Sequence, residues 1–157
     1  MEIWTTISGF RALVEIKASP TEARLSRSSR ARLRTFAVMV AETREAGPIA
    51  FAASFRYSSR ACYSGIGEFS VYVRRDYRGR GAGRAVLAAL IEAAAARGMH
   101  KLASRVFPEN VASRALLKGL GFEEIGIHRR HGQLDDRWRD CVIVELLPRI
   151  VPGNPAL

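Results

Sequence analysis

The chain has 157 residues, 48% of them apolar and 25% charged, proportions that suit one globular domain with a proper core. No run of about 18 apolar residues occurs, and Met1-Glu2-Ile3-Trp4 opens no apolar targeting segment, so the cytoplasm is the expected compartment and no membrane partner is expected. The net charge of +10 rests on arginines scattered among acids, with only Lys17, Lys101 and Lys118 as lysines, a pattern that fits a solvated basic surface or a polyanionic cofactor better than a nucleic-acid partner.

The whole of 1–157 is expected to form a single domain. Phe10 to Ile16 reads as a strand, since Ala12, Val14 and Ile16 alternate with Leu13 and Glu15. Thr21 to Arg34 is polar and arginine-rich, and Ser19-Pro20-Thr21-Glu22 is a helix start signal. Phe36 to Glu42 and Ile49 to Tyr57, separated by Glu45-Ala46-Gly47-Pro48, predict a β-hairpin. Gly67 to Val73 predicts a strand, and Gly83 to Arg97, almost wholly Ala, Leu, Val and Ile, predicts a helix ended by Gly98. Lys101 to Phe107 is a further strand, Asn110 to Leu120 a short helix closed by Gly121. Phe122 to Arg130 and Arg139 to Leu147 are two strands joined by a polar turn. This order predicts an α/β (α+β) fold with a mixed sheet. The proline-rich stretch 148–157 reads as a loose tail. Cys62 and Cys141 have no metal-type or redox spacing and are expected to be reduced.

The chemistry is concentrated in Arg78-Gly79-Arg80-Gly81-Ala82-Gly83-Arg84. The loop follows an apolar strand and opens an apolar helix. Its glycines let the backbone approach a ligand and take φ > 0. Consecutive N–H groups at a helix N-terminus, where the dipole also favours negative charge, make a pyrophosphate cradle. A dinucleotide fold would require G-x-G-x-x-G with an acid after the next strand, and a P-loop would require Gly-Lys-Ser/Thr; neither is present.

The stretch Val71-Tyr72-Val73-Arg74-Arg75-Asp76-Tyr77-Arg78-Gly79-Arg80-Gly81-Ala82-Gly83 resembles the acetyl-CoA signature of the GNAT superfamily, Q/R-x-x-G-x-G/A after a strand. Asn110, Ser113, Leu116 and Gly121-Phe122 match its second hallmark, N-x-x-S-x-x-L-x-x-x-x-G-F. The resemblance runs from roughly residue 36 to 147. Within it, Gly67-Glu68-Phe69-Ser70-Val71-Tyr72-Val73, Phe107-Pro108-Glu109-Asn110 and the Gly132…Trp138-Arg139-Asp140 segment are similar to the phosphinothricin, arsinothricin and methionine-sulfoximine N-acetyltransferases.

The resemblance implies a GNAT fold whose sheet splays, at a bulge, beside the cofactor strand, with acetyl-CoA as cosubstrate and no metal. Val71, Tyr72 and Val73 would pair by their main chain with the pantetheine arm. Arg78, Gly79, Arg80, Gly81, Ala82, Gly83 and Arg84 would hold the pyrophosphate. Asn110 would bond the pantetheine or cap its helix, with Ser113 a further contact. Main-chain N–H near Val73 would stabilise the oxyanion. Glu68 would be the general base toward a primary amine, the acceptor being a small amino acid or amino-acid-like compound. The usual tyrosine slot for the thiolate's proton falls on Leu117, which leaves Tyr63, Tyr72, Tyr77 or water. Phe10, Arg74 and Arg75 are substrate candidates, the arginines through a carboxylate. His128 and His131 have no third ligand. A homodimer is implied. The stretch 1–35 is shortened or divergent from the family pattern. An acyl-CoA-binding regulatory module and a protein N-acetyltransferase are the other readings.

Overall fold

The computed structural model describes residues 36–148 in full and, upstream, only the course of two strands, β1 (Ile3–Ile7) and β2 (Phe10–Glu15). The expected helix over Thr21 to Arg34 and the tail from residue 149 on lie outside the described residues. The chain continues as β3 (Val38–Thr43), β4 (Gly47–Arg56), β5 (Ile66–Val73), α1 (Ala82–Ala96), β6 (Lys101–Val106), α2 (Val111–Gly119), β7 (Glu123–Leu134) and β8 (Arg137–Leu146). One sheet takes all the strands in the order β1-β2-β3-β4-β5-β6-β8-β7. Only β5 and β6 run parallel, which requires a crossover, and α1 supplies it.

Alanine, the best helix former, carries most of α1. Its inward face, with Val86, Leu87 and Leu90 fully buried, lies over Met39 of β3, Ile49 and Ala52 of β4, and Phe69 of β5. The small Ala50 and Ala52 let the helix sit close to the sheet. Each large apolar side chain buried here contributes about 1.5–3 kcal/mol. α2 joins the same face through Leu117, which packs with Phe122 and Val144. The opposite face carries exposed Phe51, Phe55, Tyr57 and Tyr72.

Two expectations need correction. The β3–β4 register shifts at Ala41/Glu42, where Ala50 and Pro48 pair with Ala41 and Glu42 and leave Ile49 extra. This bulge puts Ile49 and Ala50 side by side in the core. The β4–β5 ladder, where the resemblance implied a bulge, has unbroken register. The polar segment expected to be a turn after Arg130 is strand, and β7 and β8 meet across a two-residue turn, Asp135-Asp136, with φ of 50° and 57°. Both φ values are those of a type I′ hairpin turn, whose twist suits the flanking strands. No helix among the described residues is long and apolar enough to cross a membrane.

Candidate functional site

β5 and β6 stay together for only three pairs, Ile66 with Lys101, Gly67 with Leu102 and Glu68 with Ala103. Beyond Glu68 they part. Ser104 Oγ, on β6, donates to the Phe69 carbonyl at 2.8 Å and closes the crotch of the opening. On the other side, Arg74 N–H donates to Ile49 O of β4 at 2.8 Å. Main-chain direction alternates along an antiparallel strand. Phe69, Val71 and Val73 therefore turn their N–H and C=O toward the β6 side, and Tyr72 turns its own toward Phe51, its register partner in β4. The opening thus offers the main chain of Val71 and Val73. Tyr72 offers only a side chain, which is 60% exposed and stacked on Phe51 with ring centroids 5.0 Å apart.

The glycine loop stands at the end of this opening. Arg75–Tyr77 makes a single 3-10 turn, and Gly79 and Gly81 take φ of 73° and 86°. Gly81 is the N-cap of α1 and has no side chain with which to cap it. The first intrahelical bond is Ala85 N–H to Gly81 O at 3.0 Å, and among the described residues no N–H from Gly79 to Arg84 is given to another protein group. These N–H groups at a helix start, together with three flanking arginines, fit a pyrophosphate. Arg80 lies over the Tyr77 ring at 5.1 Å. Arg78 Nε reaches Val73 O at 3.3 Å. Arg84 Nη1 donates to Gly119 O at 3.1 Å and ties α1 to the end of α2.

Asn110 follows β6 and caps α2, its Oδ1 accepting from Ser113 N–H at 3.1 Å. The capping alternative is therefore realised, and the side-chain NH2 is left to donate. Ser113 takes part here through its backbone. Leu117 is buried in the core, 4% exposed, and holds no proton to give.

Glu68 lies on the face opposite α1, beside the crotch. Its Oε1 is 3.1 Å from Arg105 Nη2, and the two side chains are 31% and 39% exposed. Arg105 lines a cavity of about 510 Å³ with Tyr57, Tyr63, Ile66, His128 and His131. The two histidines meet because β7 slips by two residues between His128 and Gly132, with Arg130 at φ 48°; their rings are 4.6 Å apart. In a regular strand residues three apart face opposite sides. Among the described residues no group of three His, Cys, Asp or Glu side chains is placed to hold a metal.

The sequence reading missed Arg105. It stands two positions after Ala103, on the face of Glu68, and only the pairing of β6 with β5 gives it that neighbour. Arg74, expected to clamp a substrate carboxylate, already holds one. It donates to both oxygens of Asp76 at 2.8 and 2.7 Å and covers the Tyr77 ring. This pairing holds Asp76 below the ordinary carboxylate range and Arg74 above its usual value. Arg75 is exposed and has no side-chain partner among the described residues. Of Phe10 only its pairing with Ile7 is described.

A mixed sheet opened between two parallel strands, with an uncapped glycine- and arginine-rich helix start at the mouth, is the architecture of an acyl-CoA-handling class of α/β protein. The model of the Acetyltransferase (GNAT) family matches residues 9–122, and the chain belongs to that family. The match starts upstream of the expected residue 36 and takes in β2. An L-methionine sulfoximine/L-methionine sulfone acetyltransferase of Pseudomonas paraeruginosa is 43% identical over 84 residues, 54% of this chain and 49% of that protein. The chain thus spans about half the length of the curated relatives it matches. The solved ribosomal-protein-alanine N-acetyltransferase of Brucella melitensis is 33% identical with a TM-score of 0.69, covering 83% of this chain and 80% of that one. The phosphinothricin acetyltransferase of Sinorhizobium meliloti, solved in complex with acetyl-CoA, is 25% identical with a TM-score of 0.71, covering 88% and 75%.

Proposed function

We propose that the protein is an acetyl-CoA-dependent N-acetyltransferase acting on the primary amine of an amino acid or amino-acid-like compound. The observation that carries the reading is the junction of the uncapped Gly81 helix start with the β5–β6 opening, and Glu68 beside the point where the strands part. CoA would lie with its pyrophosphate on Gly79 to Arg84 and its pantetheine along Val71 and Val73, with the Asn110 amide as a further donor. Its thioester would then reach the crotch near Glu68.

Glu68 takes one proton from the acceptor ammonium. The freed nitrogen lone pair attacks the thioester carbon, and main-chain N–H near Val73 receives the oxyanion. Collapse breaks the C–S bond, and the thiolate takes one of the two protons left on nitrogen, directly or through water, leaving the amide N–H. Glu68 then returns its proton to solvent. A thiolate is a fair leaving group, so Leu117 in the acid slot does not prevent turnover.

Calorimetry with acetyl-CoA should show binding to the wild type and none after Gly81→Trp. Glu68→Gln should keep that binding and lose turnover by about 10²-fold or more. Full activity in Glu68→Gln would remove Glu68 from the mechanism. Absence of acetyl-CoA binding would remove the whole reading.

A second reading is acetylation of a protein amino terminus, favoured by the likeness to the Brucella enzyme and by the exposed aromatics beside the cavity. The setting proposed is a cytoplasmic homodimer in a single domain, with neither membrane nor nucleic acid as partner. Cys62 and Cys141 both carry free thiols, in keeping with a reducing compartment. Light scattering tests the dimer.

A further inference from the structure

The ion pair at the crotch has a shape that the general-base role of Glu68 alone does not use. Glu68 and Arg105 stand on neighbouring strands, one carboxylate and one guanidinium 3.1 Å apart, both partly open to solvent. Arg105 lines the 510 Å³ cavity, whose wall also includes Tyr57, Tyr63 and Ile66, and Glu68 meets it there. The shortest approach is from Nη2, and among the described residues the Arg105 side chain makes no hydrogen bond to any other group. Its fork can therefore take a second carboxylate side-on. Arg74 cannot do this, because Asp76 occupies its fork.

An α-amino acid carries the complementary pair of charges. Its nitrogen and carboxyl carbon are two bonds apart, about 2.5 Å. Laid across the crotch, its ammonium meets Glu68 and its carboxylate meets Arg105, so both protein charges stay paired when the substrate enters. An acceptor with an amine but no neighbouring carboxylate would compete with Arg105 for Glu68 and leave the guanidinium without a carboxylate partner.

We propose that Arg105 is the specificity-determining residue for the acceptor. It binds the α-carboxylate, so that the Glu68–Arg105 pair selects free zwitterionic amino acids over amides, peptide amino termini and polyamines. The tyrosines and Ile66 then take the acceptor's side chain. The inference rests on the N-acetyltransferase reading and on Glu68 as the base.

The test is steady-state kinetics with L-methionine sulfone and its carboxamide, on the wild type, Arg105→Gln and Arg105→Lys, with acetyl-CoA binding measured on each as the folding control. The wild type should use the acid about 10- to 100-fold better in kcat/KM than the amide. Arg105→Gln should bring that ratio near one, mainly by raising KM for the acid. Arg105→Lys should restore part of the preference. Equal use of acid and amide by the wild type, or a ratio unchanged in Arg105→Gln, overturns the proposal while the acetyltransferase reading stands. Turnover of the amide with refusal of the acid does the same and favours protein amino termini. If neither compound is acetylated by an enzyme that still binds acetyl-CoA, the amino-acid reading fails and this inference with it.

Discussion

Gly81 and Gly83 stand two residues apart and are glycine for different reasons. Gly81 has φ +86°, and a methyl group there would meet nothing within 4 Å. Its side chain is excluded by backbone strain alone. Gly83 has an ordinary helical backbone, but a Cβ would lie 3.0 Å from Val73 Cγ2 and 3.4 Å from Leu116 Cδ2. There the side chain is excluded by the contact of α1 with β5 and α2. Gly81→Ala should cost about 1–2 kcal/mol through its left-handed φ and tilt the free N–H groups. Gly83→Ala should cost about 1–3 kcal/mol through overpacking. The two separate in ligand response. Acetyl-CoA should raise the Tm of Gly83→Ala nearly as much as that of the wild type, and that of Gly81→Ala less. Equal ligand-induced shifts in both variants would contradict the cradle assigned to Gly81.

At the scale of elements, α2 is tied to β7 by one residue pair. Arg114 donates to both oxygens of Glu124, at 2.7 and 2.9 Å, and to the Pro108 carbonyl at 3.1 Å. Hydrogen bonding from Arg114 holds Glu124 below its ordinary value. A carboxylate depressed in the folded state stabilises the fold above its unfolded pKa, and the contribution is lost as pH falls through the folded one. Glu124→Gln should therefore lower Tm by no more than a few degrees at neutral pH, the pair being exposed. The gap should narrow below the ordinary carboxylate range and vanish in acid. A gap that stays constant with pH would assign the effect to shape. The helices, and the strands of the hairpin, β5 and β6, were legible because apolar period and glycine stops agree there. β1 was not, since its alternation is short and its partner β2 lies in the next few residues. The far half of β7 was not either, because His128 to Gln133 is polar on both faces of an outer strand. The shape of the glycine loop, with Gly79 and Gly81 at positive φ before a helix start, could be read from its own residues. Arg105 could not, because its meaning depends on which strand β6 runs beside.

For the whole molecule, the charge of +10 is unevenly answered. Lys101, Arg105, Arg114 and Arg139 each meet a glutamate. Between residues 74 and 84 there are five arginines and one acid, Asp76, which Arg74 holds. Arg75, Arg78, Arg80 and Arg84 therefore leave a concentrated positive field at the start of α1, where it adds to the helix dipole. A polyanionic cofactor should be drawn there, and salt should screen the attraction over about 10 Å at 0.1 M. The Kd for acetyl-CoA should rise several-fold between 50 and 500 mM NaCl, and the double change Arg78→Gln, Arg80→Gln should raise it about tenfold at low salt and flatten its dependence on salt. A nucleic-acid partner predicts something else, a loss of roughly 10³–10⁵ in affinity for DNA between 50 and 200 mM salt. The same titration run with duplex DNA separates the two. Acetyl-CoA binding that ignores salt would mean that the loop's arginines do not face the phosphates. Tight, steeply salt-dependent DNA binding lost in the double variant would mean that the field serves a longer polyanion.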